Sequence, residues 1–198
     1  MVEDGEEDYM GKLEGGFVVM PDVCGYWDRK ADVLVKSKYG DRIRWLLANN
    51  SLSRTSFGPG RNSNCYGTAL WVLGAGERIH QYLEGRTAEF GQSKNWWDEE
   101  VVFPSTDRPF YVKPWVMCWF AENHCLKVER KKDTLLLAQG WEWGFEEVEY
   151  EALVHGGIYL GEETVFEQKD YGGEFRIASF QEVARQYTKL DYYELRPY

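Results

Sequence analysis

The order of the predicted elements indicates an α+β domain built on an antiparallel sheet. Helical patterns occupy the first part of the chain and strand patterns the second, whereas a parallel α/β fold would alternate them. Gly161-Glu162-Glu163 reads as a hairpin turn between two strand patterns, which is an antiparallel connection. The chain has 198 residues, of which 43% are hydrophobic, so it is long enough for one domain with a substantial core.

The helices are predicted from apolar spacing and from residues that start or stop helices. Apolar residues recur over 30–49, and Gly40 and Asp41 divide that stretch into two helical pieces. The run that begins at Cys65 is apolar nearly all round and predicts a helix buried in the middle of the domain. A further piece is predicted over 77–83, and residues 114–124 begin with the proline that suits a first helical turn.

The strands are predicted from short apolar runs bounded by turn residues. Ser179 is predicted to cap a short helix before the last strand. Residues 85–98 are predicted to form a loop. The predicted strands are 17–20, 101–103, 126–128, 134–138, 150–160, 164–168 and 190–195.

Composition excludes several classes of function. The net charge of −10 argues against nucleic acid and anionic membranes as partners, because both would repel the chain. Four cysteines occur without a Cys-x-x-Cys pair, so we predict no zinc ribbon, no metal and no cofactor. Cys118, His124 and Cys125 are interpreted as packing residues, since a fourth metal ligand is not evident. With no Sec-type signal and no apolar run of about 20 residues, a cytoplasmic location is predicted by default.

Cys65 and His155 are the candidate catalytic pair. Cys65 follows a loop rich in Gly, Pro, Ser and Asn and starts the central helix, where the helix dipole favours a thiolate. The N–H groups of Cys65 and Tyr66 lie at the same helix start, beside Asn64, and suit an oxyanion hole. His155 lies on a predicted strand before two glycines and suits the role of general base and then acid.

The hairpin supplies a third polar residue for this pair. Leu153, His155, Gly157 and Tyr159 alternate and are predicted to share one face of their strand. The residue opposite His155 is 167, 168 or 169, depending on the loop. Glu167 or Gln168 is therefore predicted to reach and orient the imidazole.

These motifs resemble the NlpC-type, papain-like cell-wall peptidases. Asn64-Cys65-Tyr66-Gly67 is similar to that family's Asp-Cys-Ser-Gly nucleophile motif. His155-Gly156-Gly157-Ile158-Tyr159-Leu160-Gly161 is similar to its His-Val-Gly-Ile-Tyr-Leu-Gly strand, and Lys132-Asp133-Thr134-Leu135-Leu136-Leu137 to its Gly-Asp-Leu-Val-Phe-Phe strand. Glu167 stands where the family's third polar residue, often a histidine, would lie. The resemblance covers about residues 60–185 in the family's order.

The resemblance implies a papain-like fold, in which a central helix carrying the cysteine packs on an antiparallel sheet carrying the histidine. Residues 1–16 would be a flexible acidic tail, 17–198 a single catalytic domain, and 85–125 an insertion between helix and sheet. The implied activity is cleavage of an amide bond through an acyl-enzyme, with cell-wall peptides as one substrate class. Such a substrate would need delivery by a non-Sec route.

Two other functions remain open at this level. The same fold and cysteine suit an acyltransferase or a deamidating effector, which differ from a hydrolase only in the group that accepts the acyl chain. The tryptophan-rich segments, including Trp96-Trp97, Trp115, Trp119 and Trp141, suit a binding module with an aromatic groove and no catalysis. The oligomeric state is not predicted.

Overall fold

The computed structural model describes residues 26–50, 63–90, 101–102, 108–143, 149–169 and 172–197. Three sequence predictions lie outside these residues. They are the acidic tail over 1–16, the strand over 17–20, and the aromatic pair Trp96-Trp97.

Six helices occur in the described part of the chain. The predicted division into two helices is confirmed, but the break lies at residues 37–39, and Gly40 and Asp41 are the first residues of α2. The central helix begins at Cys65 as predicted. Residues 85–90 continue a helix, so the prediction of a loop over 85–98 is wrong for its first part, and residues 91–98 lie outside the described part of the chain. The helices are α1 (Tyr26–Lys36), α2 (Gly40–Ala48), α3 (Cys65–Leu73), α4 (Gly76–Phe90), α5 (Pro114–His124) and α6 (Phe180–Ala184).

The sheet of this α+β domain contains six strands in the order β3-β8-β4-β5-β6-β7, and every neighbouring pair is antiparallel. A separate two-stranded pair is formed by β1 and β2. The strands are β1 (Val101–Val102), β2 (Tyr111–Val112), β3 (Cys125–Val128), β4 (Thr134–Trp143), β5 (Glu149–Gly161), β6 (Thr164–Gln168), β7 (Phe175–Ser179) and β8 (Lys189–Leu195).

The β5–β6 hairpin is closed by a two-residue turn at Glu162 and Glu163. Both residues have positive φ, 51° and 56°, which matches the twist of the flanking strands. Gly161 pairs with Thr164 across the turn. The predicted hairpin is therefore confirmed, and its register places Glu167 opposite Gly157.

Helix α3 lies at the centre of the larger of two apolar clusters. All nine of its residues are buried, as predicted. Alternate residues of β5 enter different clusters: Ile158 and Leu160 pack with α3, whereas Tyr159 joins the smaller cluster around Val183 of α6. The sheet is thus covered on both faces, and residues 155–161 of the interior strand β5 are buried.

The segment before β3 packs into the same core as α3. Phe110, Val116, Met117 and Phe120 are buried in the larger cluster. A Cβ at Gly67 would lie 1.6 Å from the Phe110 carbonyl oxygen, so only glycine permits this contact between two backbones. Residues 108–125 therefore form part of the wall around the start of α3.

Within the described residues, no helix combines the length and the hydropathy that are needed to cross a membrane.

Candidate active site

The start of α3 is held by the side chain of Asn64. Its Oδ1 accepts hydrogen bonds from Gly67 N at 3.0 Å and from Val112 N at 3.2 Å. Its Nδ2 donates to the Val112 carbonyl at 2.6 Å. The amide is thus a helix cap and a link to β2, and its polar atoms are used in positioning Cys65.

Gln168 anchors the chain that leads into α3. Its Oε1 accepts from Ser63 Oγ at 3.1 Å and Thr68 Oγ1 at 2.6 Å, and its Nε2 donates to the carbonyls of Ser63 and Gly173. The side chain is fully buried with every donor and acceptor paired. Gln168 of β6 therefore holds Ser63, two residues before Cys65, in place. Its side chain does not contact the imidazole of His155.

Tyr66 joins α3 to the strand that carries His155. Its hydroxyl donates to the Leu153 carbonyl at 2.8 Å. Its ring covers Gly156, where a Cβ would lie 3.1 Å from the Tyr66 Cδ1 atom. A glycine at position 156 therefore leaves room for the tyrosine, and the two residues set the distance between helix and strand.

A β-bulge in β5 corrects one detail of the predicted strand. Ala138 pairs with His155 but Gln139 pairs with Leu153, so Val154 has no partner in the register. Leu153 consequently packs against the larger cluster with α3, and not on the face that His155 shares with Gly157 and Tyr159. The bulge was not predicted because alternation alone carries no signal for an extra residue.

His155 is placed with both of its predicted partners. Its Nε2 lies 2.8 Å from Glu167 Oε2, and the Cys65 thiol lies near enough to the ring to raise its pKa. Since Glu167 occupies Nε2, the ring nitrogen left for the sulfur is Nδ1. The three residues are buried, with Cys65 8% and His155 5% exposed. Glu167 reaches the ring diagonally, because it pairs with Gly157 and not with His155 itself.

The environment of His155 favours its charged form. Burial acts to lower the pKa by removing water from the imidazolium. The hydrogen bonds and negative charges of Cys65 and Glu167 outweigh burial and raise the pKa from 6.5 to about 9. Near neutral pH the ring therefore carries a proton that it can give to a leaving group.

Arg176 of β7 completes the surroundings of Glu167. Its Nε and Nη2 donate to Glu167 Oε1 at 2.8 and 2.6 Å, and its Nη1 lies 2.8 Å from Glu182 Oε1. Burial acts to raise the pKa of Glu167, but the charges and hydrogen bonds of His155 and Arg176 lower it below its usual value. Glu167 is therefore an ionised carboxylate with one oxygen bound on each side.

Tyr187 lies in parallel against the imidazole from the segment between α6 and β8. The two ring centroids are 5.3 Å apart and the ring planes differ by 7°. Tyr187 is half-buried, so its ring separates one face of His155 from solvent. The stack restricts rotation of the imidazole about its side-chain torsions.

The sequence missed Arg176 and Tyr187. Arg176 stands directly opposite Glu167 in the β6–β7 register, but β7 was not predicted as a strand. The alternation of Phe175, Arg176 and Ile177 is the signal that could have identified it. Tyr187 reaches the site from a connecting segment, and no local pattern marks such a contact.

Two further cysteines in the described part of the chain lie on elements outside this site. Cys118 is exposed on α5, whereas Cys125 is buried at the start of β3, and burial raises the pKa of Cys125 to about 11. Among the described residues, no group of three or more His, Cys, Asp and Glu side chains is arranged to hold a metal ion.

A cavity of about 490 Å³ lies beside α4 and α5, with Arg78, Tyr82, Trp119 and His124 among its lining residues. Of the tryptophans proposed for a groove, Trp119 stacks on Tyr82, whereas Trp141 is largely exposed on β4.

Comparison of the chain with protein-family models, curated proteins and solved structures finds no match.

Proposed function

We propose that this protein is a papain-like, thiol-dependent hydrolase that cleaves an amide bond. The observation that carries the proposal is the buried hydrogen bond between His155 and Glu167, with the Cys65 thiol near enough to the same imidazole to raise its pKa. A thiol at a helix start, an imidazole on a strand and an orienting carboxylate are the parts that nucleophilic catalysis requires. The α3 helix packed on the antiparallel sheet supports the papain-like arrangement.

The arrangement suits a two-step reaction. The Cys65 sulfur attacks the carbonyl carbon, and the resulting oxyanion lies near the N–H of Cys65 at the positive end of the α3 dipole. His155 protonates the departing amine, so the C–N bond breaks and a thioester remains. His155 then takes a proton from water, whose oxygen attacks the thioester. The C–S bond breaks, the carboxylic acid leaves, and the imidazolium returns its proton to the Cys65 sulfur.

Peptides of bacterial cell walls are the substrate class that we propose first. The support is the sequence Asn64-Cys65-Tyr66-Gly67 together with the strand from His155 to Gly161, which resemble the motifs of the NlpC-type peptidases. Digestion of purified peptidoglycan by the wild type and by Cys65→Ala tests this choice. Identical product profiles from the two proteins would eliminate cell-wall peptides as the substrate.

Alkylation tests the catalytic pair without knowledge of the substrate. Iodoacetamide is added at pH 7, and the labelled cysteines are identified by peptide mass mapping at successive times. We expect Cys65 to react at least tenfold faster than the exposed Cys118, with Cys125 unlabelled.

The matched variant is His155→Ala, in which Cys65 should react no faster than Cys118. A wild-type Cys65 that reacts at the rate of Cys118, or more slowly, would refute the proposed function. Equal rates for Cys65 in the wild type and in His155→Ala would also refute it, because the imidazole would then not activate the sulfur.

A further inference from the structure

We propose that Arg176 is a positioning residue that orients Glu167 and sets the pH range over which the Cys65–His155 pair operates. This inference rests on the proposed function, since it concerns the same site. Nothing in the sequence motifs points to Arg176, and the assignment comes from the geometry of the β6–β7 ladder.

The first support is the division of the Glu167 carboxylate between two partners. Two N–H groups of Arg176 converge on Oε1 at 2.8 and 2.6 Å, while Oε2 faces His155 Nε2 at 2.8 Å. Because a guanidinium donates in a rigid planar fork, it restricts the rotation of the carboxylate as well as attracting it. The oxygen that contacts the imidazole is thereby held in one place.

The second support is burial. Glu167 is 4% exposed, and the Arg176 side chain is 23% exposed, so water screens their interaction only in part. An ionised carboxylate with so little solvent needs a positive partner when His155 is neutral. Arg176 supplies that charge throughout the reaction, including the steps in which the imidazole has given up its proton.

The charged and titratable groups around this pair come from four elements. Cys65 faces His155 from α3, Arg176 faces Glu167 from β7, and Glu182 of α6 contacts Arg176 from the outer side. Tyr187 covers the imidazole from the segment before β8. Charges therefore alternate from Glu182 to Arg176 to Glu167 to His155.

These alternating charges determine the direction in which each substitution moves the pH profile of Cys65 alkylation. Removing the positive charge of Arg176 favours the protonated form of every group nearby, so the pH profile must move to higher pH. Removing the negative charge of Glu182 acts in the opposite direction and must move the profile to lower pH. A residue that only stabilises the fold would change rates or stability without moving the profile in either direction.

The test is the pH dependence of Cys65 alkylation by iodoacetate, measured by peptide mass mapping between pH 4 and 11. Iodoacetate is an anion, so its reaction declines when the imidazolium loses its proton, and the profile has a lower and an upper midpoint. We expect Arg176→Gln to raise both midpoints by roughly one pH unit, the lower end of the effect of a neighbouring opposite charge. Glu182→Gln should lower them by roughly 0.3 unit, since the Glu182 side chain is 48% exposed.

Arg176→Lys and Arg130→Gln are the controls. Lysine keeps the positive charge but lacks the paired N–H donors of the guanidinium. Both pH midpoints should therefore stay unchanged, while the alkylation rate at the optimal pH falls several-fold. Arg130 pairs with Glu163 at 3.1 Å elsewhere on the protein, and its replacement should leave the profile unchanged.

Unmoved midpoints in both Arg176→Gln and Glu182→Gln would overturn this inference while leaving a fast, His155-dependent Cys65 intact. If Arg176→Gln does not fold, an upward or absent shift in the surface variant Glu182→Gln is sufficient to overturn it. A wild-type Cys65 without fast alkylation is a different result and refutes the proposed function itself.

Discussion

Replacing Glu167 with glutamine removes one negative charge from the site with almost no change of volume. The carboxylate accepts three charge-assisted hydrogen bonds, one from His155 and two from Arg176. An amide has only one oxygen, so its NH₂ group must face one of these donors. If the oxygen stays with Arg176, the NH₂ faces Nε2 and favours an imidazole without a proton there.

The expected magnitude follows from the pKa of His155, which is raised to about 9 from 6.5. Loss of an adjacent carboxylate typically removes about 1–3 pH units of such a shift, equivalent to about 1.4–4 kcal/mol. We therefore expect the upper midpoint of Cys65 alkylation to fall from about pH 9 to about pH 7 in Glu167→Gln.

Stability should change with pH in the corresponding direction. The folded pKa of His155 is higher than the unfolded value, so its protonation stabilises the fold below about pH 6.5 and this contribution is lost as the pH rises through about 9. The difference between these pKa values corresponds to roughly 3 kcal/mol. Urea denaturation at pH 6 and pH 10 measures it, and Glu167→Gln should lose less stability between the two pH values than the wild type.

Glu163→Gln is the matched control, because Glu163 is an exposed residue of the hairpin turn that pairs with Arg130. It should behave like the wild type in both assays. The reasoning is refuted if Glu167→Gln and the wild type lose the same stability between pH 6 and pH 10 and share one upper midpoint.

Three further substitutions test residues that hold helix α3 and the imidazole of His155 in place. Asn64→Ala removes a helix cap and leaves the backbone of Val112 unpaired, so the free energy of unfolding should fall by about 2–4 kcal/mol in urea denaturation. Gly67→Ala places a Cβ 1.6 Å from the Phe110 carbonyl oxygen and should lower the thermal midpoint by more than an alanine at the open Gly85. Tyr187→Leu removes the ring stacked on the imidazole, and alkylation of Cys65 should slow several-fold, whereas Tyr187→Phe should retain the wild-type rate.

The local signals of the sequence predicted the elements that carry Cys65 and His155. Helix α3 begins at Cys65 because Asn64 caps it and the following residues are apolar without interruption. The β5–β6 hairpin was equally readable, since a two-residue turn fixes the pairing of the strands it joins. The proximity of Glu167 to His155 follows from that local pairing.

The sequence left open whether Glu167 or Gln168 contacts His155, and the structure decides between them. Adjacent residues of a strand point to opposite faces, so the two side chains cannot share one partner. Glu167 faces the imidazole, whereas Gln168 turns toward α3 and binds Ser63 and Thr68. The supporting roles of Asn64 and Tyr66 also became specific only in the folded chain, where their side chains bond to Val112 and Leu153.

The sequence by itself determined which residues begin a buried helix, which form a hairpin and therefore which three side chains are candidates for chemistry. Caps, apolar periodicity and turns act over a few residues, so they can be read from the chain directly. Only the tertiary structure decided that Cys65, 90 positions before His155, lies close enough to raise its pKa, and that Arg176 and Tyr187 lie beside Glu167 and His155. These contacts join distant segments through packing on both faces of the sheet, and no short stretch of sequence contains that information.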